Sequence, residues 1–157
     1  MKKFTKQEIY GARKYFKGRK FQEVDVNLGN RSFSYFVMPQ ILAPELPDFV
    51  FRCTGNPGDG YVFGISDSVA EQYRQYAVAH EFIEFTEIGM ETPNRCVKAL
   101  EEELKLVPEE IKPDYLRMRK TFFDTLIKYC AKHTEDYTEN DMREFKQTLS
   151  RLEQLVK

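Results

Sequence analysis

The stretch YAVAHEFIEF, residues 76–85, places His80, Glu81 and Glu84 as H-E-x-x-E. On a helix, residues four apart lie one above the other, so the His80 imidazole and the Glu84 carboxylate can converge on one cation. With His80 set to zero and about 100° per residue, Glu84 falls at about 40°, Glu87 at about −20° and Glu81 at about 100°, on the flank. Tyr73 and Tyr76 lie on the His80 side, and Val78, Ala79, Phe82 and Phe85 lie opposite. The spacing predicts a helix that buries one side and presents His80, Glu84 and Glu87 on the other. Glu81 would miss a metal held by His80 and Glu84 yet reach its bound water, the place of a general base in metal-assisted hydrolysis. The same pattern also fits the wet face of an ordinary amphipathic helix.

Other reactive side chains carry weaker signals. His133, in YCAKHTEDY, ends a predicted helix, where a charged imidazole interacts favourably with the helix dipole. Cys130 stands three residues earlier at a spacing one helical turn could use for metal, but it also fits the apolar stripe of that helix. The three cysteines, Cys53, Cys96 and Cys130, include no C-x-x-C, which argues against a disulfide framework and a cysteine-rich zinc knot. Neither Cys53 nor Cys96 has a histidine close in sequence, so nothing in the sequence supports a thiol–imidazole pair. Ser66 and Ser68 flank Asp67 before a helix and read as N-cap chemistry.

The elements that must position these groups are read from periodicity and punctuation. Thr5-Lys6-Gln7-Glu8 has capping-box form and opens an N-terminal helix that stops at Gly18. Alternation over Phe21–Leu28, the pair Gly29-Asn30 and SFSYFVM make a hairpin. Pro39, Pro44 and Pro47 mark a loop or edge crossing. DFVFRCT and YVFGIS are strands joined by GNPGDG, which lacks the Lys-Ser/Thr of a phosphate-binding loop and reads as a hairpin turn. Four helices follow: from about Val69 to Ile88, stopping at Gly89; from an N-cap at Thr92-Pro93 through Leu106; from Pro113 to about Lys132; and from a Thr138 cap to the end. The last carries Met142, Phe145, Leu149, Leu152 and Leu155 as an apolar stripe. The expected fold is therefore a single α+β domain over residues 1–157: an N-terminal helix, a four-stranded antiparallel sheet, then four helices packed on one face. Alternatively, the C-terminal helices form a semi-detached bundle or pair with another chain, as in a homodimer.

A chain of 157 residues, 41% hydrophobic, can bury a core without staples. Balanced charge, 24 basic against 25 acidic residues, supplies no overall field toward nucleic acid or a membrane. The basic cluster Lys2, Lys3, Lys6, Arg13, Lys14, Lys17, Arg19 and Lys20 reads as a solvated helix face. No secretory h-region follows the basic start, and no apolar run approaches the roughly 18 residues of a spanning helix. A reduced, cytoplasmic protein is expected.

The segment ISDSVAEQYRQYAVAHEFIEF, entered from the strand YVFGIS, resembles the start of a small zincin-type metallopeptidase, in which a strand leads into the H-E-x-x-H helix. The resemblance covers residues 61–103 and implies His80 as first metal ligand and Glu81 as general base. Glu84 stands where the second histidine belongs. Zincins of the glutamate class take a third ligand from the following helix, where ALEEELKL offers Glu101, Glu102 and Glu103; Glu102 or Glu103 is favoured. A histidine with two carboxylates suits Mn²⁺ or Fe²⁺ as well as Zn²⁺, and the added negative charge makes the metal a weaker Lewis acid. The implied function is a divalent-metal-dependent peptide hydrolase, or a relative that has lost the reaction, with no organic cofactor. The competing expectation is a non-catalytic protein-interaction domain, using the aromatic-rich sheet or the C-terminal helices, with His80 facing solvent.

Overall fold

The computed structural model describes residues 16–54 and 61–156. The expected N-terminal capping box and the GNPGDG turn lie outside the described residues. Of the expected N-terminal helix, Phe16–Gly18 is described, and it is helical. The fold is α+β. Its strands are β1 (Glu23–Leu28), β2 (Arg31–Met38), β3 (Val50–Thr54) and β4 (Tyr61–Ser66). Its helices are α1 (Glu71–Phe82), α2 (Arg95–Leu106), α3 (Lys112–Lys132) and α4 (Glu139–Leu155), and a π-helical turn, Ile83–Ile88, prolongs α1.

The sheet is mixed, which corrects the expectation of an antiparallel one. Its order is β1-β2-β4-β3, with two antiparallel hairpins joined by a parallel pairing of β2 with β4. The proline-rich crossing explains the difference. It carries the chain past the slot beside β2, so β3 lands at the far edge and β4 returns to fill the gap. Gln40 fixes this crossing. Its carboxamide donates to the carbonyls of Ala43 (2.8 Å) and Leu46 (3.1 Å), and accepts from the Asp48 amide (3.0 Å) and the Ser68 hydroxyl (2.9 Å). The Ser66 hydroxyl also donates to it. Alternating polarity assigns each strand's faces but carries no information on strand order, so it gave no ground for an all-antiparallel sheet.

β4 is buried from Val62 to Ser66, as befits a central strand covered on both faces. Val37, Ile65 and Val50 stand in one row across the sheet, beneath Ala77 and Val78 of α1. Phe36, Gly64 and Phe51 stand in the opposite row, where the Phe16 ring packs at 5.3 Å from Phe36 and 5.8 Å from Phe51. α1 is the helix laid on the sheet. α2 packs on α1, and α4 packs on α2 and α3. The Tyr115 ring of α3 meets Tyr73 and Tyr76 of α1 edge-on at 5.5 and 6.1 Å.

Gly64 is required by close approach. A Cβ there would stand 1.8 Å from the Phe51 ring and 2.7 Å from the Met38 sulfur. Gly64→Ala is expected to destabilise the fold by about 1–3 kcal/mol through overpacking. Urea unfolding measures it as a lower midpoint with an unchanged slope.

A buried histidine-centred cluster

α1 arises where the continuously buried strand β4 gives way to helical spacing, and Gly89, at φ 95°, ends its π-helical extension at the expected position. The expected open face is absent. Tyr76, Ala77, Val78, Ala79 and His80 are all buried, and His80 is 2% exposed. Glu84 is buried as well, while Glu87 stays exposed and accepts two bonds from Arg31 at 2.7 and 3.0 Å. The sequence places Glu84 on the His80 side of the helix, and α2 covers that side.

The imidazole is held at both nitrogens. Its Nδ1 lies 2.7 Å from Glu103 Oε1. Its Nε2 lies 3.3 Å from Glu84 Oε1 and 3.5 Å from the Cys96 sulfur. Glu103 is fully buried, with Arg119 Nε 2.9 Å from Oε2 and Arg119 Nη2 donating to Oε1 at 3.3 Å. The Tyr115 hydroxyl donates to the same carboxylate. Glu84 Oε2 faces Arg95 Nε at 3.1 Å, and Arg95 Nη2 donates to Asp141 at 3.0 Å. The N–H bonds of Arg95 Nε and Arg119 Nε miss their neighbouring oxygens, so both buried donors lack an aligned acceptor among the described residues.

Electrostatics assigns the protons. Burial alone would raise the Glu103 carboxyl, but Arg119, His80 and Tyr115 outweigh it and hold the pKa below its ordinary value. An ionised carboxylate only accepts, so Nδ1 carries the hydrogen and Nε2 is turned toward Glu84 and Cys96. Burial would depress His80, yet Cys96, Glu103 and Glu84 overcome it and hold the imidazole well above its ordinary value. Nε2 thus sits where positive charge is favoured. Burial pushes the Cys96 thiol up, partly offset by His80.

The sequence-expected residues separate into distinct roles. His80 and Glu84 meet, as their spacing predicts. Glu103 joins them, but at the opposite imidazole nitrogen, so it orients the ring. Glu102 points away, pairing with Lys105 at 2.7 Å on the exposed side of α2. Glu81 is half-buried at the rim. Burial and the charge of Glu84 push it up to about 7, against the pull of His80, Arg52 and Arg119.

Sequence reading missed Cys96, Arg95, Arg119 and Tyr115 as members of the cluster. A signal was present: Glu103 interrupts the stripe Cys96, Ala99, Leu100 on α2, and Arg119 interrupts Tyr115, Phe122, Leu126 on α3. A charge inside an apolar stripe must find a buried partner. His133 caps α3, its ring stacked on Tyr129 at 4.2 Å and Nε2 3.1 Å from Glu45. Cys130 is buried in the core.

No known protein family matches this chain, and neither does any curated protein or solved structure.

Removing Arg119 would leave the Glu103 carboxylate buried without its guanidinium partner. Arg119→Met is therefore expected to cost about 3–5 kcal/mol, against less than about 1 for the exposed pair partner in Lys128→Ala. Chemical denaturation of both variants checks this. Because folding lowers the Glu103 pKa, its contribution is complete above the ordinary value of 4.5 and is lost as pH falls through the lowered one. Glu103→Gln should start weaker at neutral pH and lose less stability than wild type below pH 4.5, as followed by thermal melts across that window.

Proposed function

We propose that this protein is a divalent-metal-binding domain, with His80, Glu84 and Cys96 as ligands and Glu103 as the carboxylate that orients His80. One observation carries the reading: three buried donors of different chemistry converge, each within 4.8 Å of the others. Metal–ligand bonds of about 2.0–2.3 Å at tetrahedral angles put N and O about 3.3 Å apart, and N and S about 3.5 Å apart. The spacings here are 3.3 and 3.5 Å. The Nδ1–carboxylate bond is the usual outer support of a metal-bound imidazole, fixing the tautomer that leaves Nε2 free to ligate. The unaligned Arg95 Nε–H beside Glu84 fits a carboxylate whose final seat is shared with a cation.

The donor set selects among metals. Two carboxylates with one histidine would suit Mn²⁺ or Fe²⁺, but a thiolate in place of the second carboxylate favours Zn²⁺. The surroundings support a metal held for structure or sensing. Three protein ligands leave a fourth position for water, as in catalytic zinc sites, but each ligand here is buried, which keeps a substrate from that position. The groove lined by Asn94, Met142, Arg143 and Lys146 runs along the outer side of α4 and includes none of them.

Elemental analysis of untagged protein purified without chelator tests this. About one zinc per chain is expected in the wild type, lost in His80→Ala and reduced in Cys96→Ser. Wild-type protein that takes up no zinc, manganese or iron after incubation with each would reduce the cluster to an all-protein ion network and sink the reading.

A further inference from the structure

The first turn of α2 carries both Arg95 and Cys96, yet α2 does not cap itself. Thr92 was the expected N-cap, but its hydroxyl donates backwards to the Ile88 carbonyl at 2.8 Å. The cap position falls on Asn94, at φ 62°, with no side-chain cap bond. The amides are satisfied from α4. Buried Glu144 accepts the Cys96 N–H at 3.0 Å on one carboxylate oxygen and the Asn94 N–H at 3.1 Å on the other. Asp141 accepts from Arg95 at 3.0 Å while closing the capping box of α4 with Thr138. The buried Thr148 hydroxyl, one turn beyond Glu144, donates back to the Glu144 carbonyl at 3.0 Å. Two residues of α4, Asp141 and Glu144, thus hold the two α2 residues that touch Glu84 and His80.

Resting on the metal reading above, we propose that Glu144 is a positioning residue for the metal site, and that metal occupancy and docking of α4 are two faces of one equilibrium. Glu144 seats the Cys96 backbone, which sets the sulfur 3.5 Å from His80 Nε2. A metal joining that sulfur to His80 and Glu84 ties the first turn of α2 to α1, and so holds in place the amides on which Glu144 docks. The coupling is reciprocal: whatever loosens α4 weakens the metal, and whatever removes the metal loosens α4.

The test uses full-length protein, Co²⁺ as spectroscopic probe and Zn²⁺ for affinity and hydrogen exchange. In the wild type, Co²⁺ should show a sulfur-to-cobalt charge-transfer band, and Zn²⁺ should raise the protection of α4 amides. Glu144→Gln should still bind cobalt through His80 and Glu84 but lose most of that band. It should also bind Zn²⁺ about 10–100-fold more weakly, with α4 protection indifferent to Zn²⁺. Asp141→Asn, which leaves the Glu144 seat intact, should shift Zn²⁺ affinity in the same direction by less, and it carries the test if Glu144→Gln does not fold. A merely structural Glu144 would lower the unfolding midpoint and leave the cobalt spectrum and zinc affinity unchanged. That result, or α4 protection equal with and without Zn²⁺, overturns the linkage while the metal reading stands. Wild-type protein that binds neither metal overturns both.

Discussion

A single buried carboxylate, that of Glu103, organises the helical half of this molecule. It lies on α2, receives the imidazole of α1, and receives the guanidinium and phenol of α3. Desolvating these charges is expensive, and only near-complete pairing offsets the cost. That demand fixes more than the local geometry. Three helices must meet at one point and in one rotational setting, because a shift of any one strands a charge in the core. Apolar packing alone tolerates such slippage; the Glu103 cluster does not. The Arg95 branch extends the same constraint through Glu84 to the π-helical turn and through Asp141 to α4.

The sheet supplies the floor on which this is built. β4 lies buried beneath α1, and Gly64 lets Phe51 cross the opposite face at close range. α1 is consequently buried on both sides, by the sheet beneath Ala77 and Val78 and by α2 over His80 and Glu84. A helix in that position ordinarily carries apolar residues all round. Here it carries a histidine and a carboxylate at the covered face, and α2 answers with Arg95, Cys96 and Glu103.

Much of this was legible in the sequence. The Gly29-Asn30 hairpin, the stop at Gly89, the start of α3 near Pro113 and the Thr138 cap follow from local stereochemistry, which short stretches of chain encode completely. The convergence of His80 with Glu84 follows from helical spacing alone. What was not legible depends on contacts between distant segments. The Thr92 cap failed because a carboxylate fifty residues downstream took over its task. The face of His80 was read as open because amphipathicity reports polarity, and a polar face buried against complementary charge looks the same in sequence as one facing water. Cys96 met His80 only in space. The innermost line of α4 is Glu144, Thr148 and Leu152, while Met142, Phe145 and Leu149 of the expected stripe sit at half-buried flanks.

The mixed sheet also shapes how the chain reaches this state. Each antiparallel hairpin joins neighbouring segments and can form early, at little cost in loop closure. The parallel seam, Phe36–Met38 against Gly64–Ser66, cannot, because it encloses the whole crossing and β3. It is the long-range contact that brings the two hairpins into one sheet, and contacts of that kind set folding speed. Gln40 and Ser66, at the end of that seam, are bonded to each other. The residue that organises the crossing is thus also the latch of the seam, tying the segment that leads to β3 to the last residue of β4.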